Sequence, residues 1–233
     1  MIAGICHVKN EIDVIESVLR HTLAEGVEAL FISDHMSTDG TWELLQEMER
    51  GLPIFYLSRD DLSVFYQEDQ MNAAARLAEF AGADWIVPFD ADEFFYAPSG
   101  RTVADELRDL PPSVDKLFCR SWRYLDLTRR ETTPQRAKVV FRPSPGARLV
   151  AGNHDVTVPG GTWDVIEVAH YQYRSREQFG RKVAGLAAYE PLFAVQGRPP
   201  WLDMDQEALD AEWDKLCAVE TEVAPIPIRV AAR

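Results

Sequence analysis

An α/β fold with a mainly parallel central sheet flanked by helices is predicted by three features of the first 98 residues. Short apolar runs alternate with amphipathic segments. The runs are almost continuously apolar, as strands covered on both faces must be. Turn residues mark each change of pattern. After Pro98 the rhythm shifts to alternating, half-exposed runs, which predicts a mixed-strand C-terminal half.

Residues 2–8 (IAGICHV) read as the first strand. In NEIDVIESVLRHTLAEG, Ile12, Ile15, Val18, Leu19 and Leu23 share one helical face, and Gly26 suits the left-handed residue that ends a helix. Further strands are expected at 28–34 (EALFISD), 54–59 (IFYLSR) and 84–90 (DWIVPFD). Between them lie a helix carrying Trp42, Leu44, Leu45 and Met48, closed by Gly51, and an Ala-rich helix over 69–82. Past Pro98, TVADELRDL (102–110) is a short helix stopped by Pro111 and Pro112. Segments 115–125 and 137–143 read as strands, 146–161 as turns with short strands, 164–175 as a strand and 176–189 as a helix. From Pro191 the chain is rich in proline and acids. Apart from a weak helix near 204–218, it is expected to be a loose cover or mobile segment. The expected division is a nucleotide-binding half over 1–98, a second half of the same domain over 99–190, and a tail over 191–233.

The 233 residues are 46% hydrophobic and 27% charged, enough for one sizeable core. A net charge of −14 argues against nucleic acid as a partner, because phosphate backbones are met by Lys/Arg stripes. Cys6, Cys119 and Cys217 are scattered, with no CxxC spacing, and read as reduced thiols. No apolar run reaches the roughly 18 residues of a membrane span, and no basic leader opens the chain. A soluble, cytoplasmic protein is expected.

In open parallel sheets, ligands bind beyond the carboxyl ends of the strands. HVKNE (7–11), SDHMSTDGT (33–41) and FDADE (89–93) are all polar where the chain leaves the sheet, so one rim gathers them. Asp90, Asp92 and Glu93 repel one another there and lose water, and a cation would relieve that cost. Hard oxygen ligands favour Mg²⁺ or Mn²⁺ shared with the oxygens of a diphosphate. Either aspartate alone would read as a turn or cap residue. The strand-end position, the matching polar segments and the third acid, Glu93, strengthen the site reading.

Together, KNEIDVIESVLRHTLAEGVEALFISDHMSTDGTWELL and DWIVPFDADEFF resemble a family-2-type glycosyltransferase with the GT-A fold, over roughly residues 1–95. The D-x-x-S-x-D-G-T turn of that family reads here as Asp34, Ser37, Asp39, Gly40 and Thr41, and its D-x-D as Asp90 and Asp92. The resemblance implies a nucleoside diphosphate sugar, UDP-linked, as donor and Mn²⁺ or Mg²⁺ as cofactor. It implies that Asp34 accepts the base N–H, that Asn10 and Glu11 lie on the sugar–nucleotide face, and that Asp90 lies against the ribose. Asp92 would ligate the metal. Asp39 reads better as a helix cap than as a ligand, and Gly40 as a turn residue. Asn72 lacks the preceding basic residue usual in the family.

The second half must supply the acceptor site. His170, in HYQYRS, resembles the late histidine that completes the metal shell in many GT-A enzymes; its plain reading is a hydrogen-bonded strand residue. An inverting transfer needs a carboxylate to take the acceptor hydroxyl's proton. Asp155, in the turn AGNHDV beside His154, is the first nominee, with Glu93 and Glu167 behind it. The family's usual Glu-Asp pair is missing here. Arg142, Arg174, Arg176, Arg181 and Lys182 read either as a solvated charged face or as a clamp on the leaving diphosphate. Trp122, Tyr124, Trp163 and Trp201 read either as packing or as a platform for an acceptor sugar.

Three other functions compete. A sugar-nucleotide-forming nucleotidyltransferase would need a Gly-rich basic loop after the first strand, where HVKNEIDV has no glycine and one Lys. A D-x-D phosphatase would carry its aspartates after the leading strand. A non-catalytic nucleotide-sugar-binding module would have no need of the full acid set. The acceptor, a glycan, lipid-linked glycan or small metabolite, is not written in the sequence.

Overall fold

Strands β1 (Ile2–Val8) and β2 (Ala29–His35) are buried along their whole lengths, as their unbroken apolar runs require. They form the centre of a parallel set with β3 (Ile54–Asp60) and β4 (Trp85–Pro88). In this computed structural model, residues 1–62, 66–127, 129–161, 165–185, 203–218, 221–223 and 229 are described. The intervening helices are α1 (Ile15–Ala24), α2 (Thr41–Met48) and α3 (Gln67–Phe80). Alternation gives β1 and β2 two distinct faces. Ala3, Ile5, Ala29 and Phe31 pack under Met71, Ala74 and Ala78 of α3. Ile2, Cys6, Val8, Leu30 and Ile32 join Ile15, Val18, Leu19, Leu45 and Met48 of α1 and α2 on the other face.

Helix α1 begins at Ile15, later than expected, and Ile12 lies outside it and is exposed. The reason is the β1–α1 loop, whose backbone is tied to the next loop. Asn10 N–H donates to Ser37 Oγ, Glu11 N–H to Thr41 Oγ1, and Asn10 Oδ1 accepts from Thr38 N–H. Gly26 sits past the end of α1 with φ +89°, and a Cβ there would collide with Ala104. This is the helix stop its position predicted.

Beyond Pro88 the chain makes a turn at Asp90–Asp92 and re-enters the sheet as β5 (Glu93–Tyr96), at the edge opposite β3. The sequence predicts one strand over 84–90 with acids at its end, and β5 is an additional strand beyond them. After α4 (Val103–Arg108) come β6 (Lys116–Arg123), β7 (Arg129–Glu131), β8 (Gln135–Phe141) and β9 (Glu167–His170). The eight-stranded order is β3-β2-β1-β4-β8-β6-β9-β5, with β8 antiparallel to β4 and β6, and β9 antiparallel to β5. The second half therefore extends the first half's sheet.

Helix α5 (Arg176–Gly185) carries Phe179 and Val183. They pack with Tyr173 against Leu209, Trp213 and Leu216 of α6 (Gln206–Cys217). A short strand, β10 (Thr221–Val223), pairs with β7. The part of the tail described here is thus docked, whereas a loose cover was expected. Its proline-rich stretches, the end of the 176–189 helix, and Trp163 and Trp201 lie outside the described residues.

Candidate active site

The D-x-D turn is where the sheet's parallel and mixed parts meet. β5 pairs with β9 so that Glu93 lies opposite His170, and β6 places Arg123 on the other side of His170. A cleft of about 220 Å³ opens here, lined by β1-end residues His7, Lys9 and Glu11, by Asp90 and Asp92, and by His170 and Lys182. A second recess of about 240 Å³ adjoins it and shares Lys9, Glu11 and Lys182, with Asn10 and Asp39 on its wall.

Each acid has a definite counter-charge. Asp90 Oδ2 accepts from Lys138 Nζ at 2.6 Å, while its Oδ1 accepts from Gln67 Nε2 at 2.7 Å and Asn153 Nδ2 at 3.1 Å. Glu93, fully buried, has Oε1 2.8 Å from the same Lys138 Nζ, and its Oε2 accepts the Asp90 N–H. Asp92 Oδ2 accepts from Lys182 Nζ at 2.6 Å. Burial works to raise the Asp92 carboxyl, but Lys182 and His170 outweigh it and hold the group well below the usual carboxylate range. For Glu93 burial wins and the pKa rises in spite of Lys138. The sequence reading assigned the relief of this repulsion to a divalent ion. Buried Lys138 and half-buried Lys182 supply part of it, and neither was identified in that role.

One pair beside the D-x-D turn could hold a metal. Asp92 Oδ1 and His170 Nε2 face each other at 3.3 Å, and His170 Nδ1 meets Gln135 Oε1 at 3.0 Å. A cation could replace the Nε2 proton that otherwise joins His170 to Asp92, with the Nδ1 proton directed at Gln135 Oε1. One imidazole and one carboxylate, with room for phosphate oxygens in the cleft, is a donor set suited to Mn²⁺ or Mg²⁺.

Asp34 is fully buried at the end of β2, facing the α1–α2 side. Its Oδ2 accepts Ser37 N–H at 3.0 Å and lies 3.4 Å from Arg59 Nε. Its Oδ1 has no hydrogen-bond partner among the described residues. Asn10 spends its amide oxygen on Thr38, and Glu11 is engaged by Arg174 and by Lys182. Burial raises the Glu11 carboxyl despite these cations. Asp155 stands outside the cleft lining, with Oδ1 2.9 Å from Lys116 Nζ. Glu167 is a structural hub for Tyr96, Trp122 and Arg120.

Other nominees resolve into structure. Asp39 is not the N-cap residue, which is Gly40 at φ +100°, but its Oδ1 accepts the first helical N–H of Thr41. Asn72 donates to Leu149 C=O and accepts from Leu149 N–H, stapling α3 to the loop after β8. Of the basic group, Arg174 and Lys182 reach the acids. Arg142 lies over the Trp85 ring, Arg176 pairs with Asp210 and Asp214, and Arg181 pairs with Glu177. Tyr124 is core. Lys138 could have been found as the one lysine inside the otherwise apolar stretch AKVVF.

A mixed sheet with acids, a histidine and cations at its C-terminal rim defines the class of nucleotide-sugar transferase folds. The chain belongs to glycosyl transferase family 2, whose model matches residues 5–144, more than half of its length. Among solved structures, the mannosyltransferase PcManGT from Pyrobaculum calidifontis, in complex with GDP-Man and Mn²⁺, superposes with a TM-score of 0.52 at 17% identity, over 91% of this chain and 68% of that one. TarS of S. aureus gives 0.52 at 13% identity, over 93% of this chain but 42% of TarS, so the chain spans less than half of that relative's length. TarS 1-349 in complex with UDP-GlcNAc gives 0.50 at 14%, over 90% of this chain and 69% of that one. At such identities these likenesses report the fold. No curated protein matches. Among the described residues, no helix is long and apolar enough to cross a membrane.

Proposed function

We propose that the chain transfers a sugar from a UDP-linked donor to an acceptor hydroxyl, with inversion and with the help of a divalent metal. The observation that carries this reading is the facing pair Asp92 Oδ1 and His170 Nε2 in a cleft lined also by Lys9, Lys182, Glu11, Asp90 and Gln67. Asp92 and His170 would hold Mn²⁺ or Mg²⁺, which supplies charge neutralisation for the diphosphate. Asp34 Oδ1, buried and without a hydrogen-bond partner among the described residues, would accept a base N–H. Asp90, fixed by Lys138, Gln67 and Asn153, borders the cleft where a ribose would lie. Lys182 and Arg174 add fixed positive charge near the leaving group.

In a direct displacement the acceptor oxygen bonds to the anomeric carbon as the bond to the diphosphate breaks, and a carboxylate takes the hydroxyl proton. Of the acids, Glu11 combines cleft exposure with a raised proton affinity, and the geometry favours it as base over Asp155 and Glu93, which do not line the cleft. The test is UDP release from UDP-sugars with Mn²⁺ across a panel of acceptors. Release that EDTA abolishes and Mn²⁺ restores is expected. Release indifferent to EDTA would assign the charge role to Lys182 and Arg174, and no release from any donor would leave a binding module.

A further inference from the structure

His7, His35 and Asp60 sit at the carboxyl ends of the adjacent strands β1, β2 and β3. Register pairs His35 with Asp60, and His7 with Ser33, two residues before His35 on the same strand. With side chains alternating, all three fall on the α3 face, opposite Asp34. One ring nitrogen of each histidine and a carboxylate oxygen of Asp60 lie within 4.8 Å of one another.

We propose that His7, His35 and Asp60 form a second metal site that takes a borderline transition ion, Zn²⁺ in particular, independently of the Asp92–His170 pair. Two imidazoles and one carboxylate form a donor set that prefers Zn²⁺ to Mg²⁺, which favours all-oxygen surroundings. The supporting shell is present. His7 Nδ1 meets Ser33 Oγ at 2.7 Å, which leaves Nε2 directed at Asp60 Oδ2, 3.7 Å away. That oxygen is buried and has no hydrogen-bond partner among the described residues. Asp60 Oδ1 is held by His35 Nδ1 at 2.7 Å and by the Leu62 N–H. Asp60, whose side chain is 12% exposed, gives the group its opening to solvent. Three protein ligands leave a fourth position for solvent. The site would pin the rims of three strands that no covalent link joins.

The test is equilibrium dialysis of the intact chain against Zn²⁺ in excess Mg²⁺, with the bound metal counted by mass spectrometry. Wild type and Asp92→Asn should each retain one Zn²⁺ per chain, and His35→Gln should bind about 100-fold more weakly or worse. Co²⁺ substitution should give visible d–d bands in wild type that His35→Gln lacks. If His35→Gln is misfolded by circular dichroism, Asp60→Asn, which keeps an acceptor for His35, replaces it. Zn²⁺ lost from Asp92→Asn, or retained equally by a folded His35→Gln or Asp60→Asn, would overturn the site, as would no retention by wild type.

Discussion

Asp92 Oδ1 stands 3.3 Å from His170 Nε2, brought there by a strand pairing in which Glu93 lies directly opposite His170. The two residues are distant in sequence, and a turn and a β-ladder do the positioning.

Asp92→Asn should keep the fold, because Lys182 retains Glu11 as a partner. Metal-dependent affinity for UDP-sugar should fall at least about 10-fold. Calorimetry with Mn²⁺ measures this, and wild-type affinity would remove Asp92 from the metal.

Asp34→Ala should weaken uridine nucleotides by roughly 10–100-fold, the loss of one buried hydrogen bond to a ligand. Nucleotides whose base lacks a matching N–H should be affected less. Competition binding with UDP, CDP and ADP reads the difference, and an equal loss for all three would exclude base recognition.

Lys138→Met leaves Asp90 and Glu93 without their shared cation in a buried setting. The expected loss is about 3–5 kcal/mol in urea unfolding at neutral pH. Glu93, whose pKa is already raised, will take up a proton on acidification, so the deficit should shrink as pH falls toward 5. A deficit that grows instead would contradict the pairing.

His154 is depressed to about 4 by burial, with Nδ1 held on Ala137 C=O. Between that value and the ordinary 6.5, the unfolded chain binds a proton that the folded chain refuses, so this contribution to stability is lost as pH falls through that window. His154→Gln should flatten the wild-type decline by about 1 kcal/mol at pH 5.5. Denaturation curves at pH 7 and 5.5 test it, with parallel slopes for both proteins the contrary result.

Glu11→Gln should reduce turnover by about 100-fold or more while donor affinity changes little, as removal of a general base does. Asp155→Asn, which alters a pairing with Lys116 and a hydrogen bond from the Val156 N–H outside the cleft, should leave turnover near wild type. The reverse pattern would return the base to Asp155.

β1, β2 and β4 were legible because each is a short apolar run whose burial is nearly complete, and β3 because its run is apolar although Phe55 and Tyr56 are exposed; the rim acids followed from where those runs end. β5 was not, because nothing local in EFFY says that the chain leaves the sheet's centre for its far edge; that is fixed by pairing with β9, a non-local choice. Asp90, Asp92 and His170 were readable from motif and strand position, and the cleft gathers all three. Lys138 and Lys182 were not tied to their acids, since a cation's partner depends on which strands and helices become neighbours. The His7, His35 and Asp60 grouping was hidden for the same reason: it exists only once three strands are in register.

The shared lysine has a bearing on modularity. Asp90 and Glu93 belong to the first half of the chain, and Lys138 arrives only with the second, on a strand bonded directly to β4. A donor-side fragment expressed alone would carry its acids uncompensated beside an open strand edge. Any exchange of second halves among relatives must therefore bring along a base at the Lys138 position, or the hybrid inherits a charge defect at its heart.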